Sequence, residues 1–215
     1  MNEHYRFELP PLTYEYTAYE PFLDAVTMRE HHRTYLQEWI HRLNIALDGY
    51  PTLHTVPPIL LGNAALRLPR DLRDDMIQGV GALFWHTLYF EMLRPPENGM
   101  YIPEPDNDAA RMIRSRYGSV NGFFYEIRQT ALQMTGSGWV WAYAERGKHG
   151  AVRIGIGTSP DHAIPEIVRH VTPLLCVDMW EHAYLRKYGT NRRGYINAWC
   201  RLVNWEKVNG KLMGE

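Results

Sequence analysis

Asp178-Met179-Trp180-Glu181-His182-Ala183-Tyr184 is the stretch that decides the reading of this chain. It holds a carboxylate and an imidazole four residues apart. The apolar run Pro173-Leu174-Leu175-Cys176-Val177 precedes it and reads as a buried strand. Where such a strand ends and turns into a helix, an oxygen ligand and a nitrogen ligand at that spacing can close on one metal ion. Two more histidines in helical surroundings, His31 and His86, lie far upstream. Three imidazoles and one carboxylate suit a catalytic first-row metal that keeps a position open.

Working outward, residues 22–48 read as one long helix, with Phe22, Val26, Tyr35, Trp39, Ile40, Leu43 and Leu47 at helical intervals. Asp48-Gly49-Tyr50-Pro51 stops it, and a stretch with Pro57-Pro58 and Pro69 follows. A second helix is expected over 71–93, opened near Asp71 and closed by Pro95-Pro96. Two long helices with a short link make an antiparallel hairpin. Residues 94–106 carry five of the chain's prolines and glycines and read as a linker.

The second half has a different texture. Helices are expected at 107–117 and 119–134. Trp139–Glu145 and Ala151–Gly157 alternate in character around the turn Arg146–Gly150, as an antiparallel hairpin does. Pro173–Met179 supplies a third strand and two C-terminal helices follow. The fold class is therefore α+β: an N-terminal α-hairpin domain (1–95), then a C-terminal domain (96–215) with a three-stranded antiparallel sheet and flanking helices.

Composition sets limits. The 215 residues suffice for one large domain or two small ones sharing a site. A net charge of −1 argues against nucleic acid as a partner. The first residues, Met1–Leu12, contain no apolar signal core, and no run approaches the ~18 apolar residues of a membrane span. A cytoplasmic protein that is not membrane-bound is the expectation. Cys176 and Cys200, in a strand and a helix, are expected as buried, reduced thiols.

The heptapeptide resembles the D-x-W-E-H-A-[FY] signature of the iron/manganese superoxide dismutases. The resemblance runs through Leu9–Pro21, Thr27–His32, Phe84–Phe90, Gly136–Tyr143 and Asn191–Val208 in order. It implies a homodimer that converts superoxide to oxygen and hydrogen peroxide, with one iron or manganese ion per chain. In the ungapped register His31, His86, Asp178 and His182 are the implied ligands. A second register slides His31-His32-Arg33-Thr34-Tyr35 downstream and would place Thr27 at the first ligand position. Glu181 matches a carboxylate that reaches the partner subunit's ligand histidine in the family. Trp139, Trp141 and Trp180 match the aromatic lining of the site.

Family members place a Gln or a His beside the metal-bound solvent. The helical position for that Gln, four before His86, is Ala82 here. The other position falls in Thr158–His162, where His162 is the candidate and Asp161 the alternative. The chain also departs from the family. The face that carries ligand His, gateway His and gateway Tyr there reads His31, Tyr35, Trp39 here. The Tyr that bonds the partner's gateway His is replaced by Leu185. Trp39 is a donor only and cannot relay a proton, whereas Tyr35 can. A scaffold that keeps this fold without catalysing anything is the alternative reading. A metal oxidoreductase with another small substrate is a third.

Overall fold

The computed structural model describes residues 7–53, 56, 60–61, 69–96, 105–165, 168 and 170–214. The expected helix over 22–48 is in fact composite. A 3-10 turn, Tyr16–Tyr19, leads to α1, Ala25–Glu30. Asp24 starts α1 as its N-cap: its carboxylate accepts the Thr27 N–H at 2.9 Å and the Thr27 hydroxyl at 2.6 Å. Phe22 therefore lies before the helix. His31–Leu36 then widens into a π-helix, and α2, Gln37–Asp48, resumes α geometry. Periodicity misses this because a one-residue widening leaves the apolar spacing close to helical on either side.

The second arm, α3, spans Arg70–Glu91 and packs against α2. The link between α2 and α3, with Pro57-Pro58, and the side chain of Asp71 lie outside the described residues, as does most of the 94–106 linker. The hairpin is pinned at its ends. Asn44 holds the N-terminal strap, accepting the Phe7 N–H and donating to the Phe7 carbonyl, both at 2.9 Å. At the end of α3, Arg94 N–H donates to Leu202 O and Asn204 N–H donates to Met92 O, each at 2.8 Å.

The C-terminal half follows the sequence reading closely. Helices α4 (Asp108–Tyr117) and α5 (Val120–Gln133) are each opened by a side-chain cap, Asn107 and Ser119. Strands β1 (Gly138–Arg146), β2 (Val152–Pro160) and β3 (Thr172–Asp178) form an antiparallel sheet in the order β2-β1-β3. Register puts Trp139 opposite Ser159 on one side and Asp178 on the other. A short turn of helix, α6 (Leu185–Tyr188), precedes α7 (Arg192–Cys200) and α8 (Trp205–Met213). Cys176 on β3 and Cys200 on α7 are buried free thiols. No described helix is long and apolar enough to cross a membrane. The core is continuous from α2 and α3 to the sheet, so side chains from both halves meet where α3 crosses β3.

Candidate metal centre

His31 enters from the π-helix, His86 from α3, Asp178 from the last residue of β3, and His182 from the 3-10 turn Glu181–Ala183. One donor atom from each lies within 4.8 Å of the other three. Asp178 Oδ2 is the common point, 2.9 Å from His31 Nε2, 3.2 Å from His182 Nε2 and 3.9 Å from His86 Nε2. The three distances to Asp178 Oδ2 are those of atoms each about 2.0–2.2 Å from one centre, the usual range for nitrogen and oxygen ligands. The alternative register fails here, because Thr27 is spent on Asp24 and His31 is in the cluster.

The surroundings aim these donors inward. The other carboxylate oxygen of Asp178, Oδ1, accepts the Trp180 N–H at 2.8 Å, which fixes the carboxylate and turns Oδ2 toward the His182 and His31 imidazoles. His86 Nδ1 lies 2.7 Å from Ala82 O. A carbonyl only accepts, so Nδ1 carries the proton and Nε2 keeps a bare lone pair. The Nε2 atoms of His31 and His86 are buried with no protein donor pointing at them, and His31 Nε2 faces Asp178 Oδ2 at 2.9 Å. Orphaned nitrogens cost free energy in a closed core. A bound cation satisfies all of them at once, so the donor set fits a first-row metal ion.

Electrostatics agree. Burial pushes His31 down to about 4 and His86 well below its ordinary value, so both imidazoles are neutral at neutral pH, the form that can bind a metal. Burial alone would raise Asp178, but the adjoining His182 and His31 override it and hold the carboxyl far below the usual range. The centre is one anion among imidazoles.

His162 is fully buried beside this cluster, its ring 5.4 Å from that of His86, while Asp161 is exposed. Trp139 Nε1 donates to His162 Nδ1 at 3.2 Å. An indole N–H can only donate, so Nδ1 accepts and the His162 proton sits on Nε2. That Nε2 is buried with no protein partner. Trp180 stacks on His162 at 4.5 Å and Trp39 meets it edge-on at 5.3 Å. Trp39 is half-buried, and Arg42 lies over it. Tyr35 lies flat on His182, with centroids 4.5 Å apart, and is 43% exposed. Glu181 is exposed and accepts the Ser137 hydroxyl at 2.9 Å.

Sequence reading missed several contributors. Tyr89 and Phe90 pack their rings 5.2 and 5.0 Å from His31. Their spacing three and four residues after His86 was the available signal. Gly81 and Gln78 seat the His162 segment on α3. Gln78 Oε1 accepts the His162 N–H at 3.2 Å. A methyl group on Gly81 would fall 1.7 Å from the His162 carbonyl oxygen. Four residues before His86 stands Ala82, and Gln78, eight before it, holds the loop that carries His162.

Residues 6–94 match the alpha-hairpin domain of the iron/manganese superoxide dismutases, and residues 105–211 match their C-terminal domain. The manganese superoxide dismutase of Pseudomonas aeruginosa is 34% identical over 93% of this chain and 94% of its own length. A manganese/iron superoxide dismutase of Staphylococcus aureus is 32% identical over 94% of this chain and 96% of its own. The manganese enzyme of Thermus thermophilus is 31% identical over 94% and 95%. With both domains matched and nearly the full length shared with such relatives, the chain belongs to the iron/manganese superoxide dismutases.

Proposed function

We propose that this chain is a superoxide dismutase that uses one iron or manganese ion held by His31, His86, Asp178 and His182. The observation that carries this is the buried four-donor cluster with orphaned imidazole nitrogens, in a chain of this family. The bound ion supplies reversible one-electron transfer. Asp178 lowers the charge of the site and favours the oxidised state. His162 holds its proton at Nε2 toward the pocket and offers it as a hydrogen-bond donor to an oxygen there. The closed aromatic wall of Trp139, Trp180 and Tyr89 excludes water and strengthens each of these interactions.

Peroxide formation takes two protons. Tyr35 is the group we assign to proton delivery at the mouth, because it is partly exposed, touches a ligand ring and can both donate and accept. Trp39 narrows the same approach without relaying protons. The non-enzymatic scaffold finds no support, since all four donor positions are filled and gathered. Elemental analysis with a dismutase assay on iron-loaded and manganese-loaded samples tests the reading. One ion per chain and rapid superoxide consumption with at least one metal are expected. A metal-filled protein inert to superoxide overturns it.

The domain division at 95/96 and a homodimer are part of the proposal. Tyr35 and Leu185, 43% and 53% exposed, stand on the face that carries Glu181, where Arg186 reaches Asp24 at 3.7 Å. A second copy on this face would cover both and bring Glu181 to the partner's ligand histidine. Light scattering should give twice 25.1 kDa; a monomer at micromolar concentration refutes it. The free buried thiols support a reducing, cytoplasmic setting.

A further inference from the structure

A line of oxidisable rings leads from the metal centre to the surface. Trp139, Trp141 and Tyr143 alternate along β1 and so share one face of the strand. Trp139 packs 4.9 Å from His86. Trp85, the residue before His86, is stacked on Trp139 at 6.1 Å and tilted against Trp141 at 5.4 Å. Trp141 is 5.1 Å from Tyr143. The three indoles are 0–1% exposed, whereas Tyr143 is half-buried and reaches solvent.

Strand β2 is shaped to this line. The residues paired with Trp141 and Tyr143 are Gly157 and Gly155. A methyl group at Gly157 would fall 2.8 Å from the Trp141 ring, and one at Gly155 2.3 Å from the Tyr143 ring. Glycine inside a strand costs stability, and it marks a close approach by another group. Here it is the floor on which the two rings lie. Leucine and phenylalanine would fill a core as well; tryptophan and tyrosine are the aromatic side chains that lose an electron most readily.

We propose that Trp139, Trp85, Trp141 and Tyr143 carry oxidising holes out of the metal centre. The inference rests on the proposed function, because peroxide, its product, is the source of the oxidant. The ion that these ligands would hold would, when reduced, supply the one electron that splits peroxide into hydroxide and a hydroxyl radical. That radical takes one electron from Trp139 and becomes a second hydroxide. Each ring then refills its predecessor by giving one electron. Trp85 donates its N–H to the Ala163 carbonyl at 3.0 Å and Trp141 to the Ser159 hydroxyl at 3.1 Å. Neither acceptor is basic enough to remove the indole proton, so the hole stays mobile on these two rings; the Trp139 N–H is shared with His162 Nδ1, and a proton passed there returns when Trp85 refills that ring. Tyr143 gives the last electron, and its phenolic proton goes to water. The sum is hydroxyl radical plus tyrosine giving water plus tyrosyl radical. A thiol in solution returns a hydrogen atom to Tyr143 and leaves as a thiyl radical.

The test is to challenge the iron-loaded protein with hydrogen peroxide, without thiol, and read rapid-freeze electron paramagnetic resonance and peptide mass maps. A tyrosyl signal and oxidation at Tyr143 are expected, with the ligand histidines spared. In Tyr143→Phe the signal should vanish, oxidation should fall back on Trp141, Trp85 and the ligands, and ion loss per peroxide should rise severalfold. Tyr143→Trp should restore protection, and unchallenged dismutation should match in all three. Ligand oxidation with Tyr143 untouched overturns the route, as does an unchanged map in Tyr143→Phe or a radical on Tyr188 instead. Failure of superoxide consumption before the challenge would sink the proposed function alone, since any redox-active ion at this site can generate the hole.

Discussion

Replacing Gly81 by alanine tests how the hydrogen-bonding histidine is seated. Its methyl group would begin 1.7 Å from the His162 carbonyl oxygen and needs 3.4 Å for an ordinary contact. The obstacle is backbone, not the end of a flexible side chain, so the separation must double by moving a loop or a helix. The loop is held by the Gln78 contact at 3.2 Å, the Trp139 contact at 3.2 Å and the bond from Trp85 to Ala163 at 3.0 Å. A shift of that size breaks the first two. Overpacking of this kind costs ~1–3 kcal/mol, and alanine returns ~1 kcal/mol through helix propensity. Net destabilisation is therefore modest, roughly 0–2 kcal/mol, or a few degrees in a chain of this size. The chemistry should suffer more, because a misplacement of ~1 Å costs on the order of 10²-fold in rate. Urea melts, the visible spectrum of the manganese-loaded protein and pulsed superoxide decay read the three effects. Wild-type stability with an unaltered spectrum and rate would refute the seating argument.

Three more outcomes follow from the same geometry. Asp178→Asn removes the only anion among the four donors, and chelator competition should show affinity falling by at least the ~10–100-fold that losing a ligand's orienting partner costs. In the metal-free protein, His31 titrates at about 4 when folded against about 6.5 when unfolded. The unfolded state then binds more protons, so stability is present above about 6.5 and is lost as pH falls toward about 4, by up to ~1.4 kcal/mol per unit for such a group; flat stability across that window contradicts the buried, neutral assignment. Arg192 donates to the Met134 and Ala131 carbonyls at 2.9 Å and closes the C-terminal end of α5, so Arg192→Ala should cost ~1–3 kcal/mol in calorimetry while metal content holds.

Much of this architecture can be read from local pattern. The strand before Asp178, the four-residue step to His182 and the alternation of β1 and β2 are short-range signals that the fold keeps, although β2 runs on through Thr158–Pro160, which read as loop, and His182 sits in a 3-10 turn. The α-hairpin was legible from its apolar stripe. Gln78 and Gly81 were not, because their partner is more than eighty residues away and nothing near them in sequence announces a loop arriving. His162 could be singled out only through resemblance; as a lone loop histidine it would pass for a solvated one. The contact of Tyr35 with His182 is likewise a meeting of two distant segments. Residues that hold other residues are written in three dimensions, whereas ligands on regular elements leave a periodic trace.

The π-helix at His31–Leu36 has a consequence of its own. A widened turn is an extra residue lodged in an otherwise regular rod, and each residue of an α-helix is worth about 100° of rotation. The insertion therefore sets the phase between two halves of one rod. Its last residue, Leu36, falls in line with Ile40, Leu43 and Leu47 on the core, while its first residue, His31, turns toward Asp178. Deleting exposed Thr34 would let the ladder relax to ordinary α geometry and remove no buried side chain. It would also swing His31 by about a quarter turn against the core stripe. A shorter, more regular and more comfortable helix would then be one that can no longer close the metal centre.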